Sequence, residues 1–265
     1  TCALPIWEFQ NRLNIKTGDE IEELSKSFND MAESLEKIEE NRRNLIANIS
    51  HDLRSPMTSI KGFVGGILDG TIPADRQSHY LEIVSDESER LIKMTNEILE
   101  LNSMQQENIA IKKINFELNE ILRRKLVNFE SQIIKKNLDV LLNFHDDSAY
   151  VYGDKTMMER VVTNLLDNAI KFTEVEGKIS IKTREEKNKV IVEIMNTTRG
   201  IDSEEIKKIW DRFHKGDATR GLYKTGFGLG LAIVKEMIYR QDENIWVENT
   251  DKYIKFCFTI EKVKN

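Results

Sequence analysis

One histidine in this chain has neighbours that could make it reactive. Asp52 follows His51 directly, and Ser55 comes about one helical turn later. On a helix that turns about 100° per residue, Ile49 and Leu53 lie within about 40° of each other and mark a buried face. His51 then points to solvent on the opposite side, beside a carboxylate that can fix its tautomer. The spacing predicts an accessible, reactive imidazole; an ordinary surface histidine is the alternative.

Amide and lysine side chains in the second half could hold a metal ion and phosphate. Asn164, Asn168 and Lys171 recur at helical spacing, so their side chains share one face. Amide oxygens can ligate Mg²⁺, and a lysine can meet a phosphate group. Taken alone, a solvated helix face explains this spacing equally well.

Two glycine-containing motifs could approach a nucleotide. Gly226, Gly228 and Gly230 open an apolar helix, where backbone N–H groups attract phosphate. A flexible hinge is the alternative, and no strand precedes the cluster as a dinucleotide-binding βαβ unit requires. The run from Asn196 to Ile201 follows a predicted strand, and a short polar residue followed by glycine can hydrogen-bond a flat base. An ordinary turn is the alternative there.

The composition limits the class of protein. The chain has 265 residues, 40% hydrophobic and 32% charged, with a net charge of −6. This acidic balance, without a basic block, argues against nucleic acid as the main partner. Cys2 and Cys257 are too few and too far apart for a disulfide framework or a metal site, which indicates a reducing compartment. Residues 1–7 match neither a signal peptide nor a periodic helix, so we expect a truncated or artefactual N-terminus.

The first hundred residues have the spacing of long helices. A coiled-coil seam is predicted from apolar residues in a 3-4-3-4-3 spacing: Ile21, Leu24, Phe28, Met31, Leu35 and Ile38. Pro56 should bend the helix about one turn past the histidine. A turn at 69–73 leads to a second amphipathic helix that ends near Ser103. Two long helices joined by a short turn cannot bury both stripes alone, so we expect a homodimeric four-helix bundle.

From about Ile111, short strand-like runs alternate with helices, which predicts an α+β sandwich with one sheet faced by helices. The predicted strands are 138–144, 178–183, 190–194, 244–247 and 253–260, and the predicted helices are 118–136, 155–172 and 228–240. The polar segment 211–225 has little periodicity and is a candidate mobile lid.

In this order, the motifs resemble those of a bacterial two-component sensor histidine kinase. Residues 1–40 resemble part of a HAMP signalling linker, residues 41–110 the dimerisation and phosphoacceptor hairpin, and residues 111–265 an ATP-binding catalytic domain of the GHKL (Bergerat) type. The matching boxes are the H-box at His51–Pro56, the N-box at Asn164–Asn168, the G1 box at Asn196–Gly200, the F-box at Ile209–Phe213 and the G2 box at Gly226–Gly230.

The resemblance implies a role for residues of the hairpin. His51 would take the γ-phosphoryl group of ATP and pass it to an aspartate in the receiver domain of a separate response regulator. Asp52 would hold the other ring nitrogen and help remove its proton. The hydroxyl of Ser55 would help orient a water that removes phosphate from the regulator.

It also implies roles in the catalytic domain. Asn168 would hold Mg²⁺, Asn164 and Lys171 would approach the phosphates, and Asn196 would face the adenine amino group. The further residues expected at the ATP site are Gly200, Ile201, Phe213, Gly226, Gly228, Gly230 and Leu231. Possible cationic contacts from the closing lid are Arg212, Lys215, Arg220 and Lys224. The intact protein would be anchored in the cell membrane through a missing N-terminal segment, with this portion in the cytoplasm.

The chain departs from the family pattern in its G1 box. Asn196 stands where the family carries aspartate, Thr198 where it carries glycine, and no clear third glycine box precedes the last strand. We expect a working kinase, because the Mg²⁺ and phosphate motifs remain. A nucleotide-impaired scaffold or a phosphatase-dominant homologue is one alternative. An ATP hydrolase or chaperone, such as a gyrase or Hsp90 relative, is the other, but it leaves the His51 hairpin without a role.

Overall fold

The computed structural model describes residues 11–104, 111–198, 201–214 and 227–263. The chain divides into two compact units, the first ending at Leu91 and the second beginning at Ile92. Among the described residues, no helix has the length and apolar character that a membrane crossing requires. The domain limits at residues 40 and 110 stay predictions.

The first unit is built on one long helix. α1 (Glu20–Leu68) has 49 residues and continues through Pro56, so the predicted seam and the His51 segment belong to one element. Asp19 caps its start by accepting a hydrogen bond from Ile21 N at 3.1 Å. The preceding chain lies along the helix, where Asn29 exchanges two hydrogen bonds with the backbone of Leu13, at 2.8 and 2.9 Å.

A turn reverses the chain into α2 (Gln77–Met104). Gly70 adopts a φ of +78°, a backbone conformation that glycine reaches without strain. Phe63 of α1 and Tyr80 of α2 stack with ring centroids 5.1 Å apart, which holds this end of the hairpin together. The predicted turn and second helix are therefore confirmed.

The second unit is an α/β sandwich. Its strands are β1 (Lys113–Glu117), β2 (Asp139–Asn143), β3 (Tyr150–Asp154), β4 (Lys178–Glu186), β5 (Lys189–Thr197), β6 (Ile245–Asn249) and β7 (Tyr253–Lys262). Its helices are α3 (Leu118–Val127), α4 (Glu130–Lys135), α5 (Lys155–Phe172), α6 (Ser203–Lys208) and α7 (Gly230–Arg240). The described strands form one sheet in the order β1-β3-β7-β5-β4-β2, with β6 also paired to β7. Only the β2–β4 pair among them is parallel.

The core lies between this sheet and its helices. α5 packs against β1, β3, β5 and α7, and α7 also packs against β6. Val161, Leu165 and Ile194 are fully buried there, and each such side chain contributes about 1.5–3 kcal/mol by leaving water. The structure confirms the predicted architecture, a helical hairpin followed by a sandwich of one sheet and a helical layer.

Several predicted boundaries are wrong in detail. The predicted helix 118–136 is two helices, because the chain breaks at Asn128 and Phe129, where the phenylalanine ring turns into the core. β1, β3 and α6 were not predicted. β1 and β3 are five-residue strands with several exposed positions, so their apolar pattern is weak. α7 begins at Gly230 and not at 228, because Gly228 has a φ of +71°.

Candidate functional site

His51 is presented to solvent on α1. Its side chain is 83% exposed, and its Nδ1 lies 3.2 Å from Asp52 Oδ1. A carboxylate can only accept, so this hydrogen bond requires the proton on Nδ1 and leaves the Nε2 lone pair to solvent when the ring is neutral. The Asp52 side chain is only 19% exposed. Ser55 is exposed on the same helix. The geometry provides an oriented nucleophile.

α5 carries the three polar residues that share one helical face. Asp154 caps the helix by accepting from Met157 N at 3.0 Å. Asn164, Asn168 and Lys171 are half-buried, whereas the opposite apolar face of α5 is fully buried. The neutral amide oxygens are hard donors, so they fit Mg²⁺ if substrate phosphates supply the negative ligands.

The glycine cluster approaches both α5 and the F-box segment. Asn164 Nδ2 lies 3.5 Å from Gly230 O, in the first turn of α7. Phe213 N donates to Gly228 O at 2.9 Å. A Cβ on Gly228 would lie 2.5 Å from His214 O, closer than side chains tolerate. Glycine is therefore required at this contact, and the predicted F-box and G2 residues are neighbours.

Asn196 lies near the end of a central strand. It pairs with Ile179 of β4 and Ile254 of β7, is 1% exposed, and donates from Nδ2 to Thr197 O at 3.3 Å. Since α5 packs against β5, the N-box helix contacts both the strand that bears Asn196 and the helix that the glycines open.

The chain after β5 is fixed by a residue that the sequence did not reveal. Asn249, at the end of β6, accepts from Ile201 N at 3.3 Å and donates to Ile201 O at 2.7 Å.

Leu231 is half-buried in the first turn of α7. Gly200, Gly226 and the lid residues Lys215, Arg220 and Lys224 lie outside the described residues. Arg212 is described and half-buried.

Lys136 is a second residue that sequence reasoning missed. Its ammonium donates to the carbonyl oxygens of Ile170, Lys171 and Thr173, which end α5. Burial lowers the pKa of this lysine. Because 34 residues separate Lys136 from Ile170, no local pattern could have found the contact.

Another cluster of metal-ligating types lies away from these motifs. Ligand atoms of His145, Asp146 and Glu185 lie within 4.8 Å of one another. Glu185 is already paired with Lys262, at 2.5 Å. It is opposite Val190 in the β4–β5 register, about 20 Å along β5 from Asn196 at roughly 3.3 Å per residue. This cluster is not part of the site formed by α5, β5 and α7.

The hairpin and the sandwich, with these residues in place, define a phosphoacceptor helix followed by a GHKL-type ATPase domain. Three family models match the chain. These are the HAMP domain at residues 8–37, the His Kinase A (phospho-acceptor) domain at residues 41–107, and the histidine kinase-, DNA gyrase B- and HSP90-like ATPase at residues 153–264.

Individual relatives agree with these matches. The chain is 34% identical to the catalytic domain of histidine kinase ThkA, with a TM-score of 0.52, over 57% of this chain and 96% of that one. A structure of ThkA in complex with response regulator protein TrrA has a TM-score of 0.69 and 30% identity, over 87% of this chain and 66% of that one. Sensor histidine kinase YclK of Bacillus subtilis is 29% identical over 262 residues, 96% of this chain and 55% of YclK. The chain thus spans about half the length of this curated relative, and it belongs to the two-component sensor histidine kinase family.

Proposed function

We propose that this chain phosphorylates itself on His51 with ATP and passes the phosphoryl group to an aspartate of a response regulator. The observation that carries the proposal is the exposed imidazole whose Nδ1 is held by Asp52 at 3.2 Å. The Nε2 lone pair attacks the γ-phosphorus, the bond from that phosphorus to the β–γ bridging oxygen breaks, and ADP leaves. The ring becomes cationic as the N–P bond forms, and the carboxylate stabilises that charge and can take the Nδ1 proton.

The arrangement around α5 supports the nucleotide roles proposed for its residues. Asn196 accepts from the adenine amino group, while Asn164 and Lys171 face the phosphates. Asn168 would hold Mg²⁺, and the bound ion would neutralise phosphate charge. Backbone N–H groups at the start of α7, after Gly228, add the anion-binding end of a helix. Such positioning and charge neutralisation supply most of what phosphoryl transfer requires.

The proposed acceptor is the receiver domain of a response regulator. The likeness to ThkA, which was solved in complex with such a regulator, supports this choice. In the second step the N–P bond breaks while an acyl phosphate forms on the aspartate. Ser55, exposed near His51, would then help orient the water that removes the phosphate.

We also propose that the chain is a parallel homodimer. The apolar seam of α1 is uncovered in the single chain, with Leu24 66%, Phe28 49%, Met31 62% and Ile38 62% exposed. Each large side chain left in water forgoes about 1.5–3 kcal/mol of burial. Light scattering at micromolar concentration should return a dimer, and a compact 30.8 kDa species would contradict the proposal.

The match to a HAMP domain supports a place on the cytoplasmic side of a membrane-anchored kinase. In the intact protein, a segment before this chain would cross the membrane. Membrane fractionation of cells that express the full-length gene product tests this, and recovery in the soluble fraction would contradict it.

Incubation with ATP labelled in the γ-position, with Mg²⁺, tests the kinase activity. The product should be an acid-labile, base-stable phosphate that disappears in His51→Gln. The matched control is His79→Gln, an exposed histidine of α2, which should label like wild type. Label that persists in His51→Gln would overturn the assignment. If wild-type protein binds no ATP at millimolar concentration, the result favours the nucleotide-impaired scaffold over the kinase. The buried, neutral Asn196 would then be the reason for the lost affinity.

A further inference from the structure

The end of α5 is held by a side chain from the turn between α4 and β2. Lys136 Nζ lies 2.8 Å from Ile170 O, 2.9 Å from Lys171 O and 2.8 Å from Thr173 O. A helix leaves its last carbonyls without intrahelical partners, and these oxygens carry partial negative charge. An ammonium has three protons and no acceptor. Lys136 can therefore donate one hydrogen bond to each of the three carbonyl oxygens, and its positive charge complements their partial negative charge.

Backbone contacts reinforce the same junction. Glu176 N donates to Lys136 O at 2.9 Å, and Asp139 N donates to Gly177 O at 2.9 Å. Thr173 is fully buried and donates from both N and Oγ1 to Ala169 O, at 3.0 and 2.6 Å. The Thr173 bonds close the helix from within, the two backbone bonds tie the chain after α5 to the segment that carries Lys136, and Lys136 provides the charged contact to the helix end.

The final turn of α5 contains Lys171, and Asn168 comes directly before that turn. We propose that Lys136 is a positioning residue for phosphoryl transfer: by fixing this turn, it sets how Asn168 meets Mg²⁺ and how Lys171 meets the phosphates. The inference rests on the roles proposed above for those two residues. A displacement of about 1 Å at a reacting site can cost roughly 100-fold in rate, so a small shift of this turn should be measurable.

Three variants of the whole chain separate positioning from folding. Lys136→Met keeps the length of the side chain without its donors, and Lys136→Arg keeps charge and donors. Lys135→Met is the matched control, since Lys135 is the exposed neighbour. Calorimetry should give the affinities for ATP with Mg²⁺ and for adenosine, and initial rates of autophosphorylation should give kcat and KM. Adenosine lacks phosphates and so reports only on the contacts of the base and sugar.

In Lys136→Met, affinity for ATP with Mg²⁺ should fall at least about fivefold and kcat at least about tenfold, while adenosine affinity stays unchanged. Lys136→Arg should recover most of both losses, and Lys135→Met should match wild type. A purely structural role would lower the melting temperature and leave the ratio of ATP to adenosine affinity unchanged in the folded protein.

A folded Lys136→Met protein with the wild-type affinity ratio and kcat would overturn the inference alone. Should Lys136→Met not fold, Lys136→Gln keeps two donors without the charge, and it is expected to give intermediate losses; wild-type behaviour of this variant would also overturn the inference. If wild-type protein binds ATP with Mg²⁺ no more tightly than adenosine, the proposed roles of Asn168 and Lys171 fail, and the inference fails with them.

Discussion

The amide of Asn196 is almost completely buried, and its Nδ2 donates to the neighbouring Thr197 carbonyl. Oδ1 is therefore the atom that can accept from adenine. A neutral acceptor bonds about half as strongly as a carboxylate. An aspartate would add that charge, but it would also lose the Nδ2 bond and leave a buried charge when no nucleotide is bound.

Asn196→Asp should therefore tighten ATP binding by about 1 kcal/mol, roughly fivefold, and lower the melting temperature of the nucleotide-free protein. Asn196→Ala should weaken binding, because the acceptor is removed. Calorimetry and thermal unfolding measure both effects, with Asn188→Asp in the exposed β4–β5 turn as the control. If neither variant alters affinity, adenine does not meet Asn196.

Ser55 offers a test that separates the two activities proposed for the hairpin. Ser55→Ala should slow dephosphorylation of the regulator at least about tenfold, less than the roughly 100- to 10,000-fold typical of a group that itself transfers the proton, because the hydroxyl only orients the water. Autophosphorylation should persist, because Nδ1 of His51 is held by Asp52 and not by this hydroxyl. Ser50→Ala, an exposed serine on the same helix, is the control. Equal loss of both activities would indicate a folding defect.

The spacing of residues along the sequence was sufficient to predict which candidate site residues lie on the same helix face or next to each other in the chain. Asn164, Asn168 and Lys171 share one helix, and His51 adjoins Asp52, so helical periodicity alone relates them. Contacts that depend on tertiary packing were not predictable. The Asn249 amide that holds Ile201 is 48 residues away from it in the chain, and nothing in either local sequence indicates the pairing.

At the scale of elements, the contact between the F-box segment and α7 depends on one glycine. Gly228→Ala would place a Cβ 2.5 Å from His214 O and 2.8 Å from Phe213 C, at a φ of +71°. Backbone strain of this kind costs about 1–3 kcal/mol. The variant should unfold several degrees earlier, since 1 kcal/mol corresponds to about 2–4 °C in a unit of this size, and it should bind ATP less tightly.

The matched control is Gly230→Ala, two residues further along the chain. Its nearest neighbour would be Asn164 Cγ, at 4.0 Å, and alanine suits a helical position better than glycine. The melting temperature of this control should stay the same or rise. Equal destabilisation by both substitutions would contradict a steric requirement specific to Gly228.

The elements that the sequence predicted well are those with long apolar repeats. α5 begins and ends where the pattern placed it, at Lys155 and Phe172. β1 and β3 escaped prediction because each is only five residues long and mixes polar with apolar residues, without a clear alternation of buried and exposed positions. β1 pairs with β3, and β3 pairs with β7. These pairings depend on the tertiary fold and not on the local sequence of either strand.

At the scale of the whole molecule, the uninterrupted helix α1 joins the coiled-coil seam to His51. The helix carries both, about 20 Å apart between Ile38 and His51 at 1.5 Å per residue. Leu45 and Ile49 continue the spacing of the seam, so one angular phase runs through all of it. We therefore expect α1 to transmit rotation, so that turning the seam about the helix axis turns the imidazole with it.

Residues inserted into α1 change the angle between the seam and the His51 segment, and the effect on autophosphorylation can be measured. One alanine added after Glu40 would rotate the seam by about 100° relative to Leu45 and Ile49, whereas seven added residues would leave an offset of only about 20°. The one-residue variant can then pair in the dimer over only part of its length, and it should lose most autophosphorylation while the seven-residue variant keeps it. Equal activity of the two variants would mean that angle is not transmitted along α1. If phase is what the helix carries, the input to the proposed kinase is a torque, and the length of α1 matters only through its remainder after whole turns.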